Sequence, residues 1–342
     1  MHLRLWSLVS ALAAVSACGG AAGPTSSRAG SAQRSAGTGN SVLAGAAAVS
    51  GIAGSAAPVA TTAPAAADST TLIVSAAGAP ASSAAGDGCS DAAKLIYVVD
   101  EDGRFSSFNP NTTPPSFVDI TRSLQCPTQP GFFGIKPTPY SMSVDRNAAA
   151  WVLYSSGELF KVETGKGACT ATAFKPNQSG FQLMGMGFVA NAKMSNMDTL
   201  YVAGGAGPDT GTASRLGTVD MNTLAVMPTG PLTGWPELTG TGLAELWAFY
   251  PDTTPPKVAK LNKQTGAEEL VYPLAMLQGT PAAWAFAFWG GDFWLFLMRV
   301  GDDDTTVYRV NGSTGSMTVA LEKTGRSIVG AGVSTCAPVS LF

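Results

Sequence analysis

One four-residue pattern recurs along the chain: a small residue, any residue, a second small residue and then an apolar residue. Successive copies begin 44, 55, 45 and 45 residues apart. In a β-strand the side chains at positions i and i+2 lie on the same face, so each copy predicts a strand with one nearly bare face. Such strands can pack closely around an axis. The five copies are residues 141–144, 185–188, 240–243, 285–288 and 330–333.

Each repeat contains two further segments with the composition of strands. The second strands are clusters of apolar, aromatic, apolar and apolar residues, as expected for buried strands. They are residues 96–99, 150–153, 200–203, 246–249 and 293–296. The third strands, each ending in Asn, Asp or Glu, are residues 105–109, 159–163, 216–220, 258–262 and 307–311. A turn and an outer strand, such as residues 316–321, complete the unit.

The order of these units predicts the fold. Periods of about 40 to 50 residues with several short strands are typical of a β-propeller, whose innermost strands line a narrow channel. The first unit lacks its small-residue strand, whereas residues 330–333 have no strands after them, so the two ends complete one shared blade. We predict an all-β, five-bladed β-propeller over residues 89–342, closed by a C-terminal inner strand. An open β-sandwich is the alternative fold.

The start of the chain has the features of an export signal. Residues 1–17 carry a basic residue and then an apolar run too short to cross a bilayer as a helix, which predicts a signal peptide. The run ends in Val-Ser-Ala-Cys, which resembles the lipobox of bacterial lipoproteins, so we expect Cys18 to be lipidated. An ordinary signal peptide with a chance cysteine is the alternative. Gly19 follows the cysteine, and this favours the outer membrane or cell surface.

Residues 18–88 consist almost entirely of Ala, Gly, Ser, Thr and Pro. A segment of this composition cannot bury enough apolar surface to offset its conformational entropy. We therefore predict a disordered tether between the lipid anchor and the propeller. A flexible coil of this length has a root-mean-square reach of roughly 45 Å.

The charge of the chain excludes several functions. Charged residues make up 13% of the sequence, with 20 basic and 23 acidic residues and a net charge of −3. A nucleic-acid surface needs a basic patch, and the sequence contains none, so we exclude nucleic acid as a partner. The single histidine, His2, lies in the predicted signal peptide. The mature chain would then lack the imidazole that Ser-His-Asp triads and HExxH zinc sites require.

Four cysteines remain besides Cys18, and an even number in an exported protein predicts disulfides with three alternative pairings. Cys336 ends the predicted closing strand and Cys89 precedes its hairpin partner, so these two should pair. Cys126 should then pair with Cys169 and join the outer edges of neighbouring blades. A metal site built from four cysteines is the alternative, although the sequence has no CxxC spacing.

Carboxylates are the remaining candidates for chemistry. Residues 100–103 and 302–304 could bind calcium, or they could be solvated hairpin turns. A five-bladed glycoside hydrolase or lyase would need two carboxyl groups at a fixed separation across the channel. Glu237 and Asp145 lie at opposite ends of inner strands and do not fit this requirement. We predict a non-catalytic protein without cofactor or metal, and the hydrolase or lyase is the alternative.

The loops that enter the inner strands carry aromatic and polar residues. These loops share one face with the loops that join second to third strands, around the mouth of the channel. Aromatic rings with a few polar groups suit the recognition of a sugar or peptide, so we predict an envelope protein or a glycan as partner. A structural role in an envelope assembly is the alternative, and Phe181 and Trp284 could instead cap the core. The predicted binding residues are Tyr140, Phe181, Trp235, Glu237, Trp284 and Arg326.

The third strands that end in Asp or Asn are followed by Thr-Gly turns at residues 164–165, 265–266 and 314–315. With these features, roughly residues 92–335 resemble the propeller repeats of YVTN and quinoprotein-like proteins. The whole chain resembles surface lipoproteins of Gram-negative bacteria that carry a propeller on a low-complexity tether. This resemblance implies a fold and a location in the cell envelope, and it implies no particular activity.

Overall fold

The computed structural model describes residues 88–130 and 134–340. The predicted signal peptide, Cys18 and all of the predicted tether except Gly88 lie outside the described residues. Two short 3-10 helices are present in the described part, Asp91–Lys94 and Pro208–Thr210. None of the helices in this part is long and apolar enough to span a bilayer.

Within residues 88–130 and 134–340 the chain forms twenty β-strands. In chain order they are β1 (Ile96–Asp100), β2 (Phe105–Asn109), β3 (Ser116–Thr121), β4 (Pro139–Val144), β5 (Ala149–Tyr154), β6 (Leu159–Glu163), β7 (Cys169–Ala171), β8 (Leu183–Ala190), β9 (Asp198–Gly205), β10 (Arg215–Val219), β11 (Val226–Pro231), β12 (Glu237–Gly240), β13 (Leu246–Tyr250), β14 (Lys257–Leu261), β15 (Glu268–Pro273), β16 (Pro281–Trp289), β17 (Asp292–Arg299), β18 (Thr306–Asn311), β19 (Met317–Leu321) and β20 (Ile328–Gly332).

The strands form five antiparallel four-stranded blades. Blade 1 has the order β20-β1-β2-β3, and blades 2 to 5 follow as β4 to β7, β8 to β11, β12 to β15 and β16 to β19. The innermost strands β20, β4, β8, β12 and β16 each contact the inner strands of both neighbouring blades, so the ring is closed. In the shared blade, Tyr97 lies opposite Gly332 and Val98 opposite Ala331. The predicted five-bladed β-propeller with a C-terminal closing strand is therefore confirmed.

The small residues of the inner strands permit close approach around the axis. A Cβ atom on Gly185 of β8 would lie 2.5 Å from the carbonyl oxygen of Pro236, at the start of blade 4. A Cβ atom on Gly330 of β20 would lie 3.0 Å from the backbone nitrogen of Met142 in β4. Larger side chains at these positions would push neighbouring inner strands apart.

Hydroxyl groups link the inner strands to one another. The backbone N–H of Phe188 in β8 donates to Ser143 Oγ in β4 over 3.1 Å. The N–H of Phe288 in β16 donates to Thr239 Oγ1 in β12 over the same distance, 3.1 Å. A small polar side chain at these positions therefore satisfies a buried N–H of the next blade, which a larger apolar residue could not do.

The predicted position of one inner strand, residues 240–243, is wrong. The inner strand of blade 4 is β12, Glu237–Gly240, and the predicted copy at residues 240–243 lies mostly in the turn after it. In this turn Thr241 N–H donates to the Glu245 carbonyl over 3.1 Å, and Ala244 has a φ of 64°. Counted from Glu237, which pairs with Phe249 as Gly185 pairs with Ala203, the spacings are 52 and 48 residues, so the mismatch accounts for three of the 55 residues.

The core consists of apolar clusters between adjacent blades. Between blades 1 and 5, for example, the ring of Phe108 meets Trp294 at 5.5 Å and Phe296 at 5.3 Å, both with edge-to-face geometry. Such aromatic pairs add to the stabilisation from apolar burial. The predicted second strands lie in β1, β5, β9, β13 and β17, and the predicted third strands lie in β2, β6, β10, β14 and β18.

Both predicted disulfides are present. Cys89 pairs with Cys336 across the closure of the ring, with 5.9 Å between their Cα atoms. Cys126 pairs with Cys169 of β7, with 5.0 Å between their Cα atoms, and joins blade 1 to the outer strand of blade 2. The four thiols are thus used in pairs, and the alternative of a four-cysteine metal site is wrong.

Candidate functional site

The mouth of the channel lies where the inner strands begin. Tyr140 is the second residue of β4, Glu237 is the first residue of β12, and Trp235 lies two residues before it. The loop between β13 and β14 opens on the same face and supplies Asp252. We refer to Tyr140, Trp235, Glu237 and Asp252 as the mouth cluster.

The side chain of Glu237 is buried among the inner strands at this end. It is 3% exposed, and its Oε1 accepts a hydrogen bond from the Ser141 hydroxyl and a longer one, 3.5 Å, from the Met186 backbone N–H. The side chain passes over Gly185, where a Cβ atom would lie 2.7 Å from Glu237 Oε2. The carboxyl group therefore crosses from blade 4 over blade 3 to blade 2, and a side chain at position 185 would block it.

Burial also determines the ionisation of Glu237. Removal of the carboxyl from water raises the pKa of Glu237 well above its ordinary value, and its hydrogen bonds with Ser141 and Met186 oppose this effect. A neutral carboxyl group is much less costly to bury than a carboxylate. The raised pKa of Glu237 is thus a consequence of its burial among the inner strands.

Tyr140 lies beside this carboxyl group and is half-buried. Its ring packs against the apolar cluster between blades 2 and 3. Burial, followed by the nearby carboxyl groups of Glu237, Asp209 and Asp252, raises the pKa of Tyr140. The phenol therefore stays protonated at physiological pH, and its O–H can donate a hydrogen bond to a ligand or neighbour.

Trp235 is the second partly exposed aromatic residue of the mouth cluster. Its backbone N–H donates to Asp252 Oδ2 over 3.0 Å, which fixes the loop before β12 to the loop after β13. Its ring lies beside Gly205 of β9, where a Cβ atom would be 3.3 Å from Cη2 of the indole. The half-exposed indole is thus held at the junction of blades 3 and 4.

Asp252 was missed by the analysis of the sequence. It follows the second strand of its blade, in the same kind of loop as the carboxylates at residues 100–103 and 302–304. Its position in a second-to-third-strand loop could have placed it on the mouth face. Its hydrogen bond to Trp235 could not have been foreseen, because the two loops are joined only through the fold.

Phe181 lies in the core, whereas Trp284 is partly exposed in an inner strand. Phe181 is 0% exposed in the core between blades 2 and 3, with the Arg215 guanidinium 5.1 Å from its ring centroid. Its ring is not accessible to a ligand, so the prediction of Phe181 as a binding residue is corrected in favour of its alternative role in the core. Trp284 is half-buried in β16 and packs against the apolar cluster between blades 4 and 5.

Arg326 is engaged in blade 1. It is 9% exposed, and its Nη1 donates to Ser106 Oγ over 2.7 Å while its Nη2 pairs with Asp119 Oδ1 at 2.6 Å. Its guanidinium also lies 4.5 Å from the ring centroid of Phe117. The planar donor group predicted to meet a ligand is therefore used to hold the loop before β20 against β2 and β3.

One carboxylate in each of the two acidic loops is used within its own turn. Asp100 Oδ1 accepts the Arg104 backbone N–H over 2.7 Å. Asp302 Oδ2 accepts the Arg299 N–H over 2.9 Å and the Arg299 Nε–H over 3.0 Å. Within residues 88–130 and 134–340, no group of three or more His, Cys, Asp or Glu side chains could hold a metal ion.

The carboxyl pair considered for glycoside hydrolysis is separated by the fold. Glu237 begins β12 at the mouth, whereas Asp145 follows the last residue of β4 at the other end of the inner strands. Asp145 Oδ2 accepts the Trp151 Nε1–H over 3.0 Å, and its Oδ1 accepts the Ala149 N–H over 3.0 Å. Its role is to fix the turn between β4 and β5.

Among the solved structures to which this chain is similar at low identity are three bacterial proteins. TolB from Acinetobacter baumannii is 12% identical with a TM-score of 0.39, over 66% of this chain and 51% of TolB, so this chain spans about half of TolB. A gluconolactonase from Xanthomonas campestris is 10% identical with a TM-score of 0.42, over 69% and 74% of the two chains. An oligogalacturonate lyase from Vibrio parahaemolyticus is 12% identical with a TM-score of 0.33, over 66% of each chain.

Comparisons with protein-family models and with curated proteins find no match. The structural similarities are too low to indicate a shared activity, substrate or partner. The assignment of the chain to the class of β-propellers rests on its own strand topology.

Proposed function

We propose that this protein is exported, anchored to the membrane by lipid on Cys18, and binds an envelope protein or glycan at the mouth cluster without catalysing a reaction. The observation that carries the binding proposal is the partly exposed Trp235, which lies two residues before the buried Glu237 and whose backbone N–H donates to Asp252. Because Glu237 reaches from blade 4 to Ser141 of blade 2 at this end, a partner meets the surface of the mouth cluster.

The chemistry of this surface favours a partner with hydrogen-bond donors or positive charge. Asp252 and Asp209 are the carboxylates near the Tyr140 hydroxyl besides Glu237. The Arg326 guanidinium is engaged elsewhere and supplies no donor at the mouth. Indole faces bind sugar rings, apolar groups and cations, so hydroxyl-rich glycans and Lys- or Arg-containing segments both fit the surface.

The binding proposal is tested with Trp235→Ala in the full chain purified in detergent. Association with solubilised envelope proteins, or with at least one class of arrayed glycan, should fall at least tenfold, about 1.4 kcal/mol, as for an aromatic anchor of an interface. Val118→Ala is the matched control, because Val118 is 60% exposed on the outer strand of blade 1, away from the mouth.

The interpretation of this experiment depends on the fold being retained. Trp235 lies in a loop and is partly exposed, so its variant should keep the parent's thermal midpoint and far-UV circular dichroism. Unchanged binding by Trp235→Ala would contradict the proposal, and so would an equal loss in Val118→Ala. Recovery of a membrane protein would identify an assembly role, and recovery of a glycan would identify sugar recognition.

The anchor is tested separately with Cys18→Ala. The variant should appear in the soluble fraction, because the lipobox-like sequence ends at this cysteine and acylation requires its thiol. A single acyl chain gives only marginal membrane binding, so the anchor depends on the several chains that lipoproteins carry. Co-sedimentation of the variant with membranes at the parent's level would refute the lipid anchor.

A further inference from the structure

A cleft of about 380 Å³ lies between blades 4 and 5, at the end of the inner strands away from the mouth cluster. A second cavity of about 200 Å³ shares two residues with it, Arg309 and Asn311, and adds the hydroxyl groups of Ser316 and Thr318. We refer to the two adjoining cavities as the blade 4–5 cleft. Ligand sites typically enclose about 300 to 1,000 Å³, so this cleft is in the range of a small-molecule site.

The floor of the cleft contains a charge pair from blade 5. Asp292 is 4% exposed and accepts the Arg309 Nε–H over 2.6 Å, with the Arg309 Nη2 as a second donor. Its other oxygen accepts Asn311 Nδ2 and the Gly312 N–H, each over 3.3 Å. Asp292 is thus fully engaged and holds the guanidinium in position, while Arg309 Nη1 makes no hydrogen bond with the described residues.

The opposite wall contains a second charge pair, from blade 4. Glu245 Oε1 accepts Lys260 Nζ over 2.8 Å, and Glu245 Oε2 accepts the Trp247 Nε1–H over 3.2 Å. The hydrogen bond with Glu245 raises the pKa of Lys260, so the ammonium group stays charged. Trp247 is held in turn by stacking on Tyr272, with 5.9 Å between ring centroids.

Each charge at the cleft is therefore balanced by an opposite charge. An anion or a cation would have to compete with an existing partner, whereas a neutral ligand can use the hydrogen-bonding capacity that remains. That capacity includes the Nη1–H groups of Arg309 and the second lone pairs of the Glu245 oxygens. The rings of Trp247, Phe288 and Phe293 line the same cleft and offer apolar surface.

We propose that the blade 4–5 cleft binds a neutral oligosaccharide. Sugar hydroxyls both donate and accept, which matches the planar carboxylate, guanidinium and amide groups, and the C–H faces of a sugar ring match the aromatic lining. The extension from the first cavity past Arg309 and Asn311 to Ser316 and Thr318 accommodates more than one sugar unit.

The test uses the full chain in detergent on an array of neutral and acidic oligosaccharides, followed by calorimetric titration with the neutral oligosaccharide that gives the strongest signal. Arg309→Lys keeps a cation beside Asp292 but removes Nη1, and Glu245→Gln keeps the shape of the side chain. Each should lower the affinity at least about tenfold, as expected for loss of a hydrogen bond to a charged group. Arg299→Lys is the matched control, because Arg299 is also paired with an aspartate, Asp302, but does not line the cleft. This variant should bind as the parent does.

Hydrogen exchange of the parent protein gives a readout that does not depend on any variant. The bound oligosaccharide should protect the backbone at residues 290–292 and 311–313, which line the cleft, and leave the mouth cluster unchanged. Trp235→Ala should retain the affinity, which separates this site from the proposed mouth site. Binding restricted to acidic glycans or peptides, absence of binding to every neutral oligosaccharide, or protection at the mouth only would each overturn the proposal.

Discussion

Removal of the disulfide between Cys89 and Cys336 should destabilise the propeller more than removal of the other disulfide. This bond joins the segment before β1 to the segment after β20, and the two cysteines are 247 residues apart in sequence. The bond between Cys126 and Cys169 spans only 43 residues and joins neighbouring blades. The comparison therefore tests how much the covalent closure of the ring contributes to stability.

The magnitude follows from the loop that each bond closes in the unfolded chain. In the chain-entropy treatment, a 247-residue separation corresponds to about 5.5 kcal/mol and a 43-residue separation to about 4 kcal/mol. The double variant Cys89→Ser, Cys336→Ser should thus lose about 1.5 kcal/mol more in free energy of unfolding than Cys126→Ser, Cys169→Ser.

The native closure should survive without the bond because other contacts hold the two chain ends. The Ser334 hydroxyl donates to the Ala93 carbonyl over 2.6 Å, and Trp289 Nε1–H donates to the Lys94 carbonyl over 2.7 Å. The ladder between β1 and β20 also remains. We therefore expect a folded variant with reduced stability, not an opened ring.

The assay is guanidinium unfolding of the parent and both double variants, followed by tryptophan fluorescence without reductant. Non-reducing peptide mapping confirms the bond that remains in each variant. Equal m-values would show that the variants unfold from comparable native states and can be compared directly. An equal or larger loss on removal of the Cys126–Cys169 bond would refute the reasoning from loop entropy.

Two further predictions concern buried ionisable groups. Because burial raises the pKa of Glu237 in the folded state above its ordinary value of 4.5, the parent should lose stability as pH rises from that value toward the folded-state pKa, since the unfolded chain releases its proton first. Glu237→Gln has no proton to lose, so the variant should not show this decrease. The urea midpoint of the variant should therefore rise relative to that of the parent between about pH 4 and about pH 8, and a constant difference between the two midpoints would contradict the prediction. Arg326→Ala removes the hydrogen bonds to Ser106 and Asp119. The variant should lose about 2 kcal/mol in free energy of unfolding, measured in urea, and should bind at the mouth as the parent does. Weaker binding with unchanged stability would show that Arg326 contacts a ligand and does not stabilise blade 1.

The regular part of the fold could be predicted because its signal is local and repeated. Second strands such as residues 96–99 and 293–296 are apolar on both faces, since each is buried between neighbouring blades. The missing strand of the first unit and the surplus strand at residues 330–333 predicted the shared blade and, through it, both disulfides. These inferences needed only the order of units along the chain.

The small-residue pattern is not specific to inner strands. In blade 4 it matched the turn after β12, because Gly240 and Gly242 are small for different reasons. A Cβ atom on Gly240 would lie 2.1 Å from the Phe188 carbonyl oxygen, and one on Gly242 would lie 2.6 Å from the Thr335 carbonyl oxygen. A glycine in the sequence can indicate that another segment packs closely against the backbone there, but it does not show which segment that is.

The roles of the predicted binding residues were decided by contacts between distant parts of the chain. Arg326 meets Asp119 across 207 residues, and Glu237 meets Ser141 across 96 residues. The sequence placed these side chains on the correct loops and strands, since periodicity fixes the face of a strand. Whether a group on that face points to solvent or to a partner depends on which residues closure of the ring brings within hydrogen-bonding distance, and only the tertiary structure determines that.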